Sequence, residues 1–158
     1  MLDIDAVKHS LGRWDSDPAA AGRQARRLAL ALIRQHVADG HDVYLGQFLA
    51  RPEFISQLED LARVAAAQFV EFVLIVDPAT LRSRVEYRAA HPQRASDQIN
   101  ASQVSADDVP ALVQSMNALL SQRPNAIPVD ASGTLEETVV ALRHHLTRPS
   151  RTAVDPSG

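Results

Sequence analysis

The longest apolar stretch of the chain predicts a buried strand that leads directly into a helix. Residues 69–76 read FVEFVLIV, a run rich in β-branched and aromatic side chains, which is typical of a parallel strand covered on both faces. Asp77 and Pro78 follow at once. Because proline cannot donate to a sheet ladder but fits the first turn of a helix, we predict that the strand ends near Asp77 and that the helix begins there.

The predicted helix after Pro78 carries arginines on one face and apolar side chains on another. Arg84 and Arg88 are four residues apart, and so are Leu81 and Val85, which can dock on a sheet. Paired guanidinium groups that follow a strand fit an anion site. A solvated helix face that uses arginine for helix propensity and solubility explains them equally well. These residues alone leave both interpretations open.

Helical and strand-like patterns alternate along the rest of the chain. Apolar residues at intervals of three and four predict helices over about residues 18–38, 52–67, 108–122 and 134–146. Short apolar stretches predict strands at residues 41–47 and 126–130. Strands that alternate with helices at this spacing indicate an α/β fold with a mainly parallel sheet. Pro128 places the last strand at an edge of that sheet.

Local signals mark the ends of these helices. Asp17 and Pro18 fit an N-cap and a first turn, and Gly40 fits the end of the same helix. Thr134 with Glu137 three residues later predicts a capping box at the start of the last helix. The sequence thus predicts where several helices begin and end as well as that they exist.

Two of the helices show clear apolar positions. The first long helix has Leu28, Leu32 and Ile33 among them, with its arginines mostly on the outside. The next helix has a stripe that we expect to face the core, formed by Phe54, Ile55, Leu58, Leu61 and Val64. By contrast, residues 91–108 are polar and predict an irregular segment, and residues 148–158 predict an unstructured tail.

Composition limits the classes of protein that fit. The 158 residues are 46% hydrophobic and 22% charged, which predicts one globular domain over residues 1–147. The chain has no cysteine, so disulfides, thiolate metal ligands and cysteine nucleophiles are excluded. The adjacent His144 and His145 do not have the spacing of a metal site, and no Gly-x-Ser-x-Gly motif indicates a hydrolase.

Charge and hydropathy bear on partners and location. A formal net charge of -3 disfavours a domain-wide nucleic-acid surface, which is normally strongly basic. No apolar run reaches the roughly 18 residues of a membrane span, and the start MLDID lacks the features of a signal peptide. We therefore expect a cytoplasmic protein without nucleic-acid or membrane partners.

The order of these parts resembles the P-loop kinases that phosphorylate small molecules, including the zeta-toxin-like and chloramphenicol-phosphotransferase-like branches. Residues 2–5 (LDID) look like the end of the second strand, and residues 41–48 with Arg51 look like the third strand and the substrate-facing turn. Residues 81–94 look like the arginine-bearing lid, and residues 129–133 (VDASG) look like the last strand and the turn near the adenine. The resemblance implies a three-layer parallel sheet, ATP and magnesium as cofactors, and a small-molecule acceptor.

On the acceptor side, the resemblance implies roles for four residues. Asp5, with Asp3 as the alternate, would be the carboxylate that takes the proton of the acceptor. Gln47 and Arg51 would contact the acceptor. A charged strand end explains the aspartates, and an ordinary turn explains the other two, without any such role.

On the phosphate side, the resemblance implies that the lid clamps phosphates with Arg84 and Arg88, with Arg82 and Arg94 less favoured. Asp77 after four apolar residues also fits the acidic end of a Walker B strand. Because it leads directly into the arginine helix, we favour a capping role for Asp77.

The defining motif of these kinases is absent. A P-loop has the pattern G-x-x-x-x-G-K-[ST], whose glycine amides and lysine hold the phosphates. The only lysine, Lys8, has no glycine loop before it, and none of the six glycines is paired at that spacing: Gly12, Gly22, Gly40, Gly46, Gly133 and Gly158. We expect that the first strand, which lies between the third and fourth strands in these kinases, is missing together with the loop.

Two explanations of the missing loop stay open. The chain is a fragment that starts too late, which we favour, or it is a genuine non-catalytic derivative with a binding or regulatory role. Either explanation predicts little or no kinase activity and no tightly bound ATP or magnesium. A sheet without its central strand would also leave a hydrophobic surface uncovered, which offers a route to oligomers.

Overall fold

The computed structural model describes residues 1–47, 52–92 and 104–147, a mixed α/β arrangement. Its elements are α1 (Ile4–His9), α2 (Pro18–Ala38), α3 (Pro52–Val64), β1 (Phe72–Ile75), α4 (Pro78–Ala90), a 3₁₀ turn (Ala106–Asp108), α5 (Val109–Gln122), β2 (Ile127–Asp130) and α6 (Leu135–Thr147). They fall into two compact units, Met1–Val70 with Gln114–Gln122, and Glu71–Val113 with Arg123–Gly158.

The core of the first unit lies where α2 packs against α1 and α3. Ile4, Ala25, Ala29 and Phe54 form a buried cluster. Around it lie the partly buried side chains of Leu2, Val7, Leu11, Leu30, Leu45 and Leu58. Because the two alanines are fully buried and have small side chains, the neighbouring helices can approach α2 closely.

The larger apolar residues of α2 are less buried than its alanines. Ile33 is buried as its position predicts, but Leu28 and Leu32 are 41% and 45% exposed. The contact face of α2 is instead formed by residues at intervals of four, which include Ala25, Ala29 and Ile33. The leucines lie one residue before that series and therefore at its border.

The predicted third strand is reduced to a single parallel bridge between Leu2 and Leu45. The Leu2 amide donates to the Tyr44 carbonyl at 2.8 Å. The prediction that residues 2–5 end a strand is wrong beyond Leu2, because α1 already starts at Ile4. Asp3 is the N-cap of α1, and its carboxylate accepts the amides of Asp5 and Ala6 at 2.9 and 3.2 Å, which satisfies donors that a helix start leaves unpaired.

The second unit is built on the parallel pair of β1 and β2, in a register that sets Phe72 opposite Ile127 and Ile75 opposite Asp130. Helix α6 packs against β2. Val73 and Val129 are buried. In the part of the chain that the structure describes, this sheet has two strands, so β2 lies at an edge, as Pro128 predicts.

An ion pair with little solvent exposure closes the start of this sheet. The Nε atom of Arg123 donates to Oε2 of Glu71 at 2.9 Å, and its Nη2 atom lies 2.8 Å from the same oxygen. The two side chains are only 14% and 12% exposed. The Ile127 amide donates to the Glu71 carbonyl at 2.9 Å. Glu71, the residue directly before β1, is therefore bound to the segment that leads into β2.

The predicted helix ends are confirmed. Asp17 accepts the Ala20 amide at 2.9 Å, and Gly40 has a φ of +81° just after α2, a conformation that glycine adopts without strain. Thr134 and Glu137 form the predicted capping box, with the Glu137 carboxylate 2.7 Å from the Thr134 amide. Within the described ranges, no helix has the length and apolarity needed to cross a bilayer.

Candidate functional site

The polar side chains of the second unit gather where β1 and β2 end. Asp77 is the N-cap of α4, and its carboxylate accepts the Thr80 amide at 2.9 Å, so the predicted capping role is confirmed. Hydrogen bonds from the side chain and the amide of Thr80 hold the pKa of the Asp77 carboxyl below its usual value. The Asp77 amide donates to Oγ of Ser132 at 3.1 Å, which connects the ends of the two strands.

Asp130 ends β2 in a similar turn. Its carboxylate accepts the Ser132 amide at 2.9 Å. This bond, with a further one from the Ser132 side chain, lowers the pKa of Asp130, while the Asp77 carboxylate acts weakly in the opposite direction. Both aspartates therefore favour the ionised form and stabilise turns at the carboxyl ends of parallel strands, where ligands bind in many α/β proteins.

Arg84 fastens α4 to the loop between β2 and α6. Its Nη1 donates to the Ala131 carbonyl at 2.6 Å, and its Nη2 donates to the carbonyls of Ser132 and Gly133 at 3.2 and 2.6 Å. These bonds come from a charged donor and are correspondingly strong. For Arg84 to clamp a phosphate, it would have to give up some of them, so its lid role stays a prediction.

The other two predicted lid arginines differ from each other. Arg82 lies 3.8 Å from Glu86 and 3.5 Å from Asp107 in exposed ion pairs. Arg88 is exposed, and it has no ion pair or hydrogen bond within the described part of the chain. Of the three guanidinium groups, that of Arg88 is free to bind a ligand without breaking a contact.

Arg88 borders an open groove along α4 of about 870 Å³, lined by Ala79, Thr80, Ser83, Arg84, Tyr87, Arg88 and His91. The rings of Tyr87 and His91 stack at a centroid distance of 4.4 Å, and Nδ1 of His91 lies 3.0 Å from the Tyr87 carbonyl oxygen. Hydroxyl groups, a guanidinium group and aromatic rings thus line one surface, a combination suited to a phosphate on a small organic group.

The described acceptor candidates, Asp3, Asp5 and Gln47, lie in the first unit. Asp3 is used as the N-cap of α1, whereas the half-buried Asp5 carboxylate accepts no hydrogen bond within the described residues. Gln47 is half-buried at the end of a described range. Arg51 and the lid candidate Arg94 lie outside the described residues. The Leu2–Leu45 bridge brings the segment before Asp5 beside the one before Gln47, and the roles of both residues stay predictions.

Sequence reasoning missed the contacts that define the polar cluster. Ser132 accepts the Asp77 amide across 55 positions of sequence, and Arg84 reaches carbonyls 47 to 49 positions away. The Ser-Gly pair after the last strand signalled a turn, but carbonyl oxygens carry no residue-specific signal. The partners of Arg84 therefore could not be read from the chain.

The sequence has no glycine loop for the phosphates, and in the described ranges no three histidine, aspartate or glutamate side chains are placed to hold a metal ion. Asp77 and Asp130 already accept backbone amides.

Comparisons of the chain with protein-family models, with curated proteins and with solved structures found no match. The interpretation of function consequently depends on the residues and the geometry described above.

Proposed function

We propose that this chain is a derivative of the small-molecule P-loop kinases that binds a phosphorylated ligand and, as a polypeptide of residues 1–158, does not transfer phosphate from ATP. The ligand would be held at the α4 groove, with Arg88 as its main cationic contact. The finer fold implied by this proposal is a three-layer parallel sheet of the kinase type from which the first strand is absent.

The observation that supports the kinase relationship is the pairing of the strands. Leu2 pairs in parallel with Leu45, and β1 pairs in parallel with β2. In a sheet whose first strand lies between the third and the fourth, the second strand adjoins the third and the fourth adjoins the last. The β1–β2 pair fits the second of these neighbours, and the isolated Leu2–Leu45 bridge, also parallel, fits the first.

The free donors on α4 support phosphate as the ligand group. A guanidinium group binds phosphate oxygens through two parallel hydrogen bonds, and Arg88 can do so without losing a contact within the described residues. Ser83 adds a hydroxyl group along the same groove, whereas the Thr80 hydroxyl is already bound to the Asp77 carboxylate.

Calorimetric titration with inorganic pyrophosphate, and separately with ATP and magnesium, tests the proposal. We expect pyrophosphate binding that weakens at least about tenfold in Arg88→Ala, since a charged hydrogen bond contributes roughly 1.5–3 kcal/mol. Arg34→Ala is the matched control, because Arg34 is also an exposed helical arginine with no ion pair or hydrogen bond within the described residues.

Two results would contradict the proposal. Equal loss of binding in both variants would mean that the anion binds through general charge rather than at α4, and absence of any pyrophosphate binding would remove the ligand class. ATP turnover by the purified chain, measured as release of ADP with or without candidate acceptors, would instead show an active kinase and refute the non-catalytic part.

A further inference from the structure

A partly exposed apolar stripe runs along one side of α6. Leu135 is 80% exposed, Val139 37% and Leu146 48%, and Leu142 between them is half-buried. These residues follow one another at intervals of four, three and four, which is the spacing of a seam between two paired helices.

The packing of α6 within its own unit uses the neighbouring face. Thr138 is buried there, and its hydroxyl donates to the Thr134 carbonyl at 3.0 Å. The ring of His145 lies 6.1 Å from that of Phe72 in β1. The apolar stripe therefore lies beside the contact with the sheet, and it is most exposed at Leu135 and Leu146.

The stripe is complementary to itself when its direction is reversed. Leu135 and Leu146 are equally far from the point between Val140 and Ala141, and Val139 and Leu142 are also equally far from it. Two antiparallel copies of α6 crossing at that point would set Leu135 against Leu146 and Val139 against Leu142. A two-fold axis produces this self-complementary contact.

The charges beside the stripe favour the same direction. Glu136 and Arg143 are seven residues apart, so they lie on the same flank of the seam. In an antiparallel pair, each would lie near the opposite charge of the other copy. Glu137 is occupied by the capping box, whereas Glu136 has no ion pair or hydrogen bond within the described residues. Antiparallel helix dipoles add to the preference.

We propose that α6 is a homodimerisation surface, on which the α6 helix of a second copy of this chain pairs antiparallel through Leu135, Val139, Leu142 and Leu146. A single pair of short helices buries less than the roughly 1,000 Å² of a stable interface. The dimer therefore dissociates on dilution, and its formation requires neither a ligand nor the α4 groove.

Sedimentation velocity over a concentration series of the full chain measures the dimer directly. We expect a monomer–dimer equilibrium whose dissociation constant rises at least tenfold in Leu135→Ser. Val64→Ser is the matched control, because Val64 is also 80% exposed but lies at the end of α3. Its dissociation constant should equal that of the wild type. Circular dichroism spectra check that both variants are folded.

A charge-exchange experiment identifies the second copy as the partner. Glu136→Arg and Arg143→Glu should each weaken self-association, because each places like charges across the seam. An equimolar mixture of the two variants should dimerise at least as well as the wild type, because the mixed pair has opposite charges at both contacts between residues 136 and 143.

Three outcomes would overturn the proposal. The first is a wild-type chain that stays monomeric up to millimolar concentration, which would leave the stripe to another protein or to another segment of this chain. The second is a dimer that Leu135→Ser weakens no more than Val64→Ser does, which would place the contact elsewhere. The third is a mixture of the two charge variants that associates no better than each variant alone.

Discussion

Helices α2 and α4 are attached to their units in opposite ways. The buried residues of α2 are all apolar: Ala21, Ala25, Ala29 and Ile33. In contrast, α4 has no buried residue. It is held by the Asp77 cap and by three hydrogen bonds from Arg84 to backbone carbonyls. One helix depends on close apolar packing, and the other depends on a few polar contacts near its start.

The difference teaches that two helices with similar patterns of apolar and charged residues can be attached to the rest of the fold by different kinds of contact. Both segments carry arginines on one side and apolar residues on another, so both predict an amphipathic helix. On α4 the half-buried Leu81 and Val85 flank Arg84, and the guanidinium group makes the most specific contacts of that face. An arginine that a pattern assigns to ligand binding can therefore be a structural group, which leaves Arg88 as the stronger ligand candidate.

Removing the aromatic centre of the first unit should have the largest effect. Phe54→Ala should lower the free energy of unfolding by about 3–5 kcal/mol, the usual loss for a buried phenylalanine, because Phe54 is 6% exposed in the cluster around α2. Urea unfolding followed by the fluorescence of Trp14, the single tryptophan, measures it. Leu32→Ala is the control, and its free energy of unfolding should fall by about 1 kcal/mol or less. If Leu32→Ala lost as much stability as Phe54→Ala, the leucines and not the alanines would form the contact of α2.

Removing the polar anchor of α4 should have an intermediate effect. Arg84→Met keeps much of the side-chain volume but removes the bonds to the Ala131, Ser132 and Gly133 carbonyls, and should cost about 1.5–3 kcal/mol of unfolding free energy. Arg88→Met, one turn further along, should change it by about 0.5 kcal/mol or less. Urea unfolding followed by circular dichroism compares them. Equal losses in the two variants would contradict the assignment of Arg84 as a structural anchor.

Acid should weaken the polar attachment by a smaller amount. The pKa values of Asp77 and Asp130 are lowered in the folded chain by hydrogen bonds from Thr80 and Ser132, respectively. A lowered folded pKa contributes stability above the ordinary value of 3.8, and this contribution is lost as the pH falls through the folded value. We therefore expect the free energy of unfolding to decline as the pH falls below about 4.

Asparagine variants separate this effect from general acid denaturation. Asp77→Asn and Asp130→Asn keep hydrogen-bond acceptors but remove the ionisation, so each should make the decline below about pH 4 shallower. Asp42→Asn is the control, because Asp42 is exposed and accepts no hydrogen bond within the described residues. If the decline of the unfolding free energy with falling pH changed equally in all three variants, the turns at the strand ends would not be the origin of the acid effect.

Much of the local structure could be predicted because its signals lie within a few residues. Asp77 with Pro78, Gly40, and Thr134 with Glu137 mark helix ends through contacts that span at most four positions, and each has the expected contact or backbone conformation. The prediction of a strand end at residues 2–5 was wrong because two local signals compete there. The acidic alternation fits a strand end, but Asp3 caps a helix with its own side chain.

The candidate site could be predicted only in part, because its contacts join distant segments. The sequence indicated arginines after a strand, and Arg88 does line an open groove, with no ion pair or hydrogen bond within the described residues. The sequence could not show that Arg84 is bound to carbonyls more than 45 positions away. Nor could it show that Glu71 and Arg123 form a little-exposed ion pair.

The sequence by itself determined the starts of α2, α4 and α6, the presence of the apolar strand β1, and the lack of a phosphate-loop motif in the given residues. Each of these depends on short-range sterics, local hydrogen bonds or the presence of a motif. Only the tertiary structure decided that alanines rather than leucines form the contact of α2, and which arginine is an anchor and which is free. Those outcomes depend on which surfaces meet and which carbonyls lie within reach, and packing and hydrogen-bond geometry between distant segments decide both.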